Sequence, residues 1–260
     1  FKKLGRLGVM AVDENIELIR EGIPEAFPAA VSEKAAQIVA HPGLFETGGP
    51  RRDLTDLPLM TVDGQSTLDY DDALSIQALE DGYLVGVHIM DVAHHVKKGD
   101  VIDREALSRG SSIYMPDHRI SMLPPLLAEG VCSLRAGEAR PAISTFIKVG
   151  PFGTIVSYDI CASVIRVRHQ RTYYDVNLAA DDDADIVNLR FIAEKFREFR
   201  LDQGAVQITL PDVNVWIDES GQVNLSRLNR ESPARLLVSE LMIMANWMMA
   251  RFLRDNDMPA

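Results

Sequence analysis

The chain has 260 residues, of which 47% are hydrophobic and 25% are charged. This length and apolar content suffice for one large domain or two small ones, which excludes a disordered chain and a small disulfide-stapled scaffold. The formal net charge of -11 opposes a general attraction to polyanions, so any contact with nucleic acid must be local.

The distribution of apolar residues and cysteines bears on where in the cell the protein is expected to reside. No window approaches 18 consecutive apolar residues and no apolar signal core follows Phe1, so we expect a cytoplasmic protein that does not cross a membrane. Cys132 and Cys161 are too few for a disulfide framework or a four-cysteine zinc site, and we expect both to be buried. Because the chain begins without methionine and ends at Ala260 after a long helical pattern, we expect it to be a piece of a longer protein.

The N-terminal part is predicted to be helical. Residues 13–21 form an amphipathic pattern with Asp13 as its cap and Gly22 as its stop, and a second helix is predicted at 29–40. Proline and glycine accumulate over residues 41–58, which predicts an exposed connector. We therefore expect a helical lead-in and connector over residues 1–50 and a single domain over residues 51–260.

The middle of the chain alternates between strands and turns. A strand at 59–62 is predicted to end at Asp63-Gly64, and strands at 73–79 and 83–92 to form a hairpin. A helix follows near 102–109, and a second hairpin pairs residues 142–149 with 155–167. The acidic residues between 63 and 72 are thus predicted to lie in a loop between strands.

The last third is predicted to contain two helices and three short strands. The acidic run at 181–185 is typical of a helix cap, and that helix ends near Arg200. Strands are predicted near 206–210, 213–217 and 223–228, and Ser232-Pro233 opens a long helix with a methionine-rich apolar stripe. Hairpins and helices without βαβ alternation predict an α+β fold.

Four aspartates, Asp63, Asp69, Asp71 and Asp72, lie within ten residues. Two carboxylates about 4 Å apart repel each other by roughly 4 kcal/mol at an effective dielectric constant near 20, so a converging set must be solvated, partly protonated or bridged by cations. Divalent metal is the economical solution, because Mg²⁺ prefers oxygen ligands and assists reactions at phosphate.

Three other interpretations of this cluster compete with a metal site. An EF-hand beginning at Asp69 fails, because Ala73 and Leu74 occupy the positions of a ligand and of the turn glycine. A phospho-aspartyl nucleophile would need βαβ alternation, which the sequence lacks. An exposed acidic loop is the simplest alternative, and composition alone favours it.

An ordered series of motifs resembles the ribonuclease II / ribonuclease R (RNB) family. The first motif comprises residues 53–58, Asp63-Gly64 and Asp69-Tyr70-Asp71-Asp72-Ala73. Further matches follow at 87–93, 103–106, 109–116, 120–124, 132–134 and 240–246. Matches in register over about residues 50–256 are far more specific than an isolated aspartate cluster.

The resemblance implies an RNB-type catalytic domain, incomplete at its C-terminal side. Family members hydrolyse single-stranded RNA from the 3′ end and release nucleoside 5′-monophosphates with Mg²⁺, here one or two ions. By position, Asp63, Asp69 and Asp72 match metal ligands, and Asp71 matches the carboxylate tied to cleavage. Tyr114 matches an aromatic side chain that stacks on terminal nucleotides.

Departures from the family pattern keep a second hypothesis open. Ile208 replaces an aromatic clamp at the 3′ end of the RNA, and Ser239 replaces the first of two glutamates, of which Glu240 is the second. These changes suggest a catalytically impaired homologue that binds RNA or a protein. The family's later arginine segment and OB-type domains are absent from these 260 residues, so we expect this piece alone to have little activity.

A basic stretch at residues 164–171 is the densest positive region of the sequence. Its alternation places Arg166 and Arg168 on one face of a predicted strand. The two side chains either contact phosphate or form an ordinary solvated face. The sequence does not distinguish between these alternatives.

Overall fold

The computed structural model describes residues 15–41, 49–179, 182–208, 210, 212–218, 220–229 and 231–259. The α-helices within this part of the chain are α1 (Ile16–Arg20), α2 (Ala29–Ala40), α3 (Val101–Arg109), α4 (Tyr173–Leu178), α5 (Ala184–Asp202) and α6 (Pro233–Asp255). The strands are β1 (Arg52–Asp63), β2 (Asp72–Leu79), β3 (Gly82–Met90), β4 (Ile113–Tyr114), β5 (Arg119–Ile120), β6 (Ala139–Val149), β7 (Ile155–Thr172), β8 (Asp212–Ile217) and β9 (Val223–Leu228). The predicted α+β class is confirmed.

The centre of the fold is a closed barrel with the strand order β1-β2-β3-β6-β7. Its sequential strands pair antiparallel, as the predicted hairpins require, and β1 closes the barrel by pairing in parallel with β7. The last pair in this parallel register is Asp63 with Thr172. The end of β1 and the start of α4 therefore lie side by side.

A chain of buried polar side chains crosses one face of the barrel strands. Nε2 of His88 lies 3.0 Å from the Ser75 hydroxyl and its Nδ1 lies 2.7 Å from the Ser144 hydroxyl, which lies 2.6 Å from that of Ser163. A Cβ atom at Gly86 would lie only 2.3 Å from the Ser75 hydroxyl and 2.6 Å from His88 Nε2. Only glycine at position 86 leaves room for this arrangement.

Two apolar cores cover the two faces of these strands. In the first core, Leu74, Val87 and other residues of alternate strand positions pack against α4, α5 and α6. In the second, intervening positions such as Ala73 and Met90 pack against α2, α3 and residues 127–134. The period-2 alternation of the strands thus assigns each helix group to one face.

Helix α6 is long and apolar enough to cross a membrane by length and composition, with a hydropathy of 1.4 over its best 18-residue window. Its predicted apolar stripe is buried in the first core, with Leu237, Leu241, Met244 and Met248 at most 1% exposed. Packing against α5 and the barrel accounts for this apolar character. The prediction of a methionine-rich core stripe is confirmed.

Some local predictions are wrong. The connector does not extend to residue 58, because β1 begins at Arg52 and accommodates Pro58 where its register with β7 shifts between Leu54 and Leu59. Such an irregularity needs no N–H donor from proline. The strand predicted at 206–210 is absent at the described positions, where Val206 and Ile208 are exposed and have no strand to pair with.

The predicted helix caps and the expected burial of the cysteines are confirmed only in part. Helix α1 is capped by the Asn15 side chain, which accepts hydrogen bonds from two backbone N–H groups, whereas Asp13 lies outside the described residues. Asp183 caps α5 in the same way, as the acidic run predicts. Cys132 is buried as expected, but Cys161 is only half-buried.

Candidate active site

The acidic motif occupies one end of the barrel. Strand β1 ends at Asp63, and its antiparallel neighbour β2 begins at Asp72. Antiparallel neighbours place the end of one strand beside the start of the next, so the two carboxylates share this end. Asp69 and Asp71 lie in the intervening loop, as the sequence predicts.

Ser133 holds the acidic loop in place. Its buried hydroxyl donates to the Leu68 carbonyl at 2.8 Å and accepts from the Tyr70 N–H at 3.0 Å. The Leu134 N–H donates to the Tyr70 carbonyl at 2.9 Å. These contacts flank Asp69 on both sides, so a segment distant in sequence fixes the backbone that presents the aspartates.

Asp63 and Asp72 are electrostatically strained. Burial raises the pKa of Asp63 to about 7, with further increases from the charges of Asp72, Asp71 and Asp69. Burial and the Asp71 charge raise the pKa of Asp72 to about 6. The Oδ2 atom of Asp63 is buried and has no hydrogen-bond partner among the described residues. The negative charges of Asp63 and Asp72 are therefore not balanced by a cation of the described protein residues.

Asp69 has a different environment, because a cation of the protein already contacts it. Its Oδ1 lies 2.6 Å from a terminal nitrogen of Arg119, and its Oδ2 accepts a hydrogen bond of 3.3 Å from the Tyr114 hydroxyl. Arg119 also pairs with Glu129 and lies 5.8 Å from the centre of the Tyr114 ring. Asp69 therefore connects the acidic cluster to an aromatic side chain.

Asp71 lies between these two groups. Part of its side chain faces solvent, yet the surrounding protein reduces its hydration, and this raises its pKa together with the Asp69 charge. The Arg119 charge acts in the opposite direction. The charge of Asp71 in turn raises the pKa values of Asp63 and Asp72.

A cleft of ≈ 770 Å³ opens over this cluster. Asp63, Asp69 and Asp71 line it together with Arg119 and Tyr114, whose side chain is 69% exposed. Asp72 is not among the lining residues, although its charge contributes to the raised pKa of Asp63. The structure therefore brings the predicted residues together, and the interpretation as an ordinary solvent-exposed loop is wrong for the half-buried Asp63 and Asp72.

The side chains of this site have donor atoms that suit a divalent cation, but they are not arranged around a common point. No three His, Cys, Asp or Glu side chains of the described residues are arranged to hold a metal ion. The donors nevertheless fit Mg²⁺, because Asp63, Asp71 and Asp72 offer hard oxygens with raised pKa values and one buried oxygen without a partner. Repulsion between the carboxylates opposes their closer approach when no cation is present.

Several residues of this end of the barrel were not found from the sequence. Arg119 and Ser133 contact the acidic loop, and Glu129 pairs with Arg119. Tyr173 at the start of α4 has a pKa raised by burial and by the charges of Asp63 and Asp72. Among these residues, only Ser133 lies in a motif singled out from the sequence, the Cys-Ser-Leu motif at 132–134. Its role in holding the loop required the structure.

The positions that depart from the family pattern lie elsewhere. Ile208 and Ser239 are exposed, and the Ser239 hydroxyl donates to the Leu236 carbonyl within α6. Glu240 is buried and accepts two hydrogen bonds from Arg200, at 2.9 and 2.6 Å. It therefore ties α6 to α5 and does not line the acidic cleft.

Arg166 and Arg168 both lie exposed on one face of β7, as the alternation predicts. Arg168 donates to the Asp56 carbonyl of β1 at 2.5 Å. At least one of the two side chains thus has a structural contact with the neighbouring strand. A contact of either one with phosphate stays a prediction.

Comparison with known proteins identifies the family. The model of the RNB domain matches residues 51–260, which include the whole barrel and the acidic cleft. The chain belongs to the RNB domain family. It is similar to ribonuclease R of Thermotoga maritima, with 36% identity over 272 aligned residues that cover 99% of this chain and 38% of the relative. The chain thus spans well under half of that relative's length.

Solved structures of this family share the fold. The structure of Mycoplasma genitalium RNase R in complex with ribose-methylated single-stranded RNA matches with a TM-score of 0.82 and 24% identity, over 92% of this chain and 39% of that one. Yeast Ssd1, a pseudonuclease, matches more weakly, with a TM-score of 0.54 and 21% identity, over 58% of this chain and 20% of that one. These likenesses show a shared RNB fold.

Proposed function

We propose that the protein to which this domain belongs is a Mg²⁺-dependent 3′-to-5′ exoribonuclease that hydrolyses single-stranded RNA to nucleoside 5′-monophosphates. The main support is the cleft that Asp63, Asp71 and the exposed Tyr114 line together, next to which Asp72 begins β2. All three of these aspartates have raised pKa values. Membership of the RNB family supports exoribonuclease activity in general.

Tyr114 provides a surface for the terminal nucleotide. Its exposed ring can stack on a base of any identity, a contact worth roughly 1 to 3 kcal/mol. Its hydroxyl donates to Asp69, so the orientation of the ring is linked to the acidic loop. A stacked base would place the adjoining phosphodiester toward the carboxylates that line the same cleft.

Asp71 is assigned to the cleavage step. Water attacks the phosphorus, and the bond from phosphorus to the 3′ oxygen of the preceding nucleotide breaks. That oxygen takes up a proton from solvent and stays on the shortened RNA as its 3′ hydroxyl, while the released nucleotide keeps its 5′ phosphate. Asp71, which lines the cleft and is the most solvent-accessible of the four, can orient that water and accept its proton. Burial and the Asp69 charge raise its pKa, which makes this carboxylate a stronger proton acceptor than a free aspartate.

Asp63 and Asp72 are assigned to cation binding, with Asp69 as a further ligand. When bound, Mg²⁺ would supply positive charge that offsets the phosphate and the developing charge of the leaving oxygen. The unpartnered Oδ2 of Asp63 and the raised pKa values of both carboxylates support this assignment. The residues of this chain contribute the negative field that attracts the ion.

An RNB homologue without turnover is the second candidate. Ile208 and Ser239, two exposed positions that differ from the family pattern, favour it. The four aspartates favour the enzyme. Since the aspartates are assigned to chemistry and the two departures are not placed in the acidic cleft, we regard the nuclease as the better supported function.

The decisive experiment uses the full-length protein and single-stranded RNA labelled at its 5′ end and, separately, at its 3′ nucleotide. A 3′-to-5′ hydrolase releases labelled nucleoside 5′-monophosphate from the 3′ end first, and only with Mg²⁺. Asp71→Asn serves as the control for contaminating nucleases. Retention of the RNA without release of any nucleotide would instead establish the binding homologue.

A further inference from the structure

Arg119 occupies an unusual position in the cleft. It is the only arginine or lysine among the described residues that line it, whereas Asp63, Asp69, Asp71 and Glu129 all contribute carboxylates there. Its side chain is 17% exposed. A polyanion that enters such an acidic cleft needs positive charge, and Arg119 is the permanent positive charge that the described chain provides at this place.

Arg119 pairs with two carboxylates, of which only Asp69 is assigned to cation binding. Glu129, at the turn formed by Leu127–Val131, pairs with one terminal nitrogen. Asp69 pairs with the other at 2.6 Å, and its second oxygen accepts from Tyr114. Both oxygens of Asp69 are therefore engaged, and a divalent cation that takes this carboxylate as a ligand must compete with Arg119.

Release of Asp69 would change what Arg119 can bind. Its guanidinium would keep Glu129 as an anchor while its other N–H groups become available. Because Arg119 lies 5.8 Å from the centre of the Tyr114 ring, those donors would face the backbone of a nucleotide stacked there. A guanidinium is well suited to pair with the oxygens of a phosphate.

We propose that Arg119 couples cation binding to RNA binding: a divalent cation at the aspartates displaces Arg119 from Asp69, and the freed guanidinium contacts the RNA phosphate next to the base stacked on Tyr114. This inference rests on the proposed function of the same cleft. Coupling of this kind is reciprocal, so RNA must strengthen cation binding by the same factor as the cation strengthens RNA binding.

The test measures affinity and does not depend on turnover. Binding of ribose-methylated single-stranded RNA to the full-length protein is measured by fluorescence anisotropy with and without saturating Mg²⁺, and Mg²⁺ affinity is measured by calorimetry. For the wild-type protein we expect Mg²⁺ to strengthen RNA binding by about ten-fold, the value of one charge-assisted contact. In Arg119→Gln this gain should fall to about two-fold or less, while Mg²⁺ alone binds more tightly because its competitor is gone.

Arg52→Gln is the matched control. Arg52 begins β1, at the opposite end of the strand from Asp63, and pairs with Asp159 in an exposed ion pair, so the variant loses the same charge away from the cleft. It should keep the ten-fold coupling. Arg119→Lys, which retains the charge but not the forked geometry, should show an intermediate gain and guards against misfolding of the glutamine variant.

The outcomes separate this inference from the proposed function. If the wild-type protein binds RNA and Mg²⁺ without mutual enhancement, or if Arg119→Gln keeps the full enhancement, the coupling role of Arg119 is wrong while the nuclease assignment stands. If the wild-type protein binds neither ligand, the proposed function itself fails.

Discussion

Asp71 is the residue at which loss of charge should affect chemistry most selectively. Asp71→Asn keeps the size of the side chain and one oxygen but removes the proton acceptor. We expect the single-turnover rate of the full-length protein to fall by about 10²-fold or more, since general-base catalysis contributes on that order. RNA affinity should stay within about two-fold, because stacking on Tyr114 does not need this charge.

The comparison requires both quantities from the same preparation. Single-turnover cleavage gives the rate, and binding of ribose-methylated RNA gives the affinity. An affinity loss as large as the rate loss would show that Asp71 acts in ground-state binding, and the catalytic assignment would then be withdrawn.

Asp63 should limit the stability of the cation-free protein. Burial raises its pKa to about 7, so at neutral pH part of the population carries a poorly solvated charge beside Asp72. Asp63→Asn removes this repulsion, and we expect the melting temperature without metal to rise by a few degrees. The same variant should lose the stabilisation that Mg²⁺ gives the wild-type protein.

Asp53→Asn is the matched control, because Asp53 also lies on β1 but is exposed and has a pKa lowered by hydrogen bonds from Thr55. It should not raise the melting temperature and should keep the Mg²⁺ effect. Differential scanning calorimetry with and without Mg²⁺ measures both. Equal Mg²⁺ stabilisation of wild type and Asp63→Asn would remove Asp63 from the ligand set.

At the scale of elements, the acidic loop depends on the segment that carries Ser133. Ser133→Ala leaves the Tyr70 N–H and the Leu68 carbonyl without their partner, at a cost of about 1 to 3 kcal/mol in the free energy of unfolding. Because those groups flank Asp69, we expect Mg²⁺ affinity to fall as well. The loop would no longer present its carboxylates in one arrangement.

Ser163→Ala provides the comparison that separates positioning from stability. Ser163 is equally buried, and its hydroxyl contacts Ser144 and the Ala142 carbonyl, with no contact to the acidic loop. Both variants should lower the free energy of unfolding in urea titrations. Only Ser133→Ala should weaken Mg²⁺ binding measured by calorimetry, and an equal effect of the two variants would contradict the positioning role.

Elements were predictable from the sequence where turn chemistry is local. The hairpins β2–β3 and β6–β7 follow from glycine-containing turns between alternating strands. Strand β1 was underestimated because Pro58 signals a break, although a register shift accommodates it. The apolar alternation at 206–210 was misleading, since a strand needs a partner and none pairs with the described part of this segment.

At the scale of the whole molecule, the acidic motif could be predicted but its surroundings could not. The four aspartates lie within ten residues, so their chemistry is visible in the sequence. The contacts that complete the site join residues 45 and 65 positions apart, as for Tyr114 with Asp69 and Ser133 with Leu68. No local pattern encodes such pairs, because barrel closure and loop packing bring them together.

The pH dependence of stability also belongs to the whole molecule, because it combines His88 in the barrel with the carboxylates at its end. Burial lowers the pKa of His88 from 6.5 to about 4, so below pH 6.5 the unfolded chain takes up a proton that the folded chain refuses. This contribution lowers stability as the pH falls from 6.5 to 4. Asp63 and Asp72 act oppositely, because their raised pKa values let the folded protein bind protons first.

The two opposing effects should partly cancel in the wild-type protein without metal, and His88→Gln should separate them. A glutamine side chain can still exchange hydrogen bonds with Ser75 and Ser144 but does not titrate. We therefore expect the free energy of unfolding of this variant, relative to wild type, to rise by roughly 3 kcal/mol between pH 7 and pH 4, following from the shift of the His88 pKa. Urea titrations of both proteins at several pH values with EDTA measure this difference. A constant difference across the range would mean that His88 has the same pKa in the folded and unfolded chains, and would contradict a pKa lowered by burial.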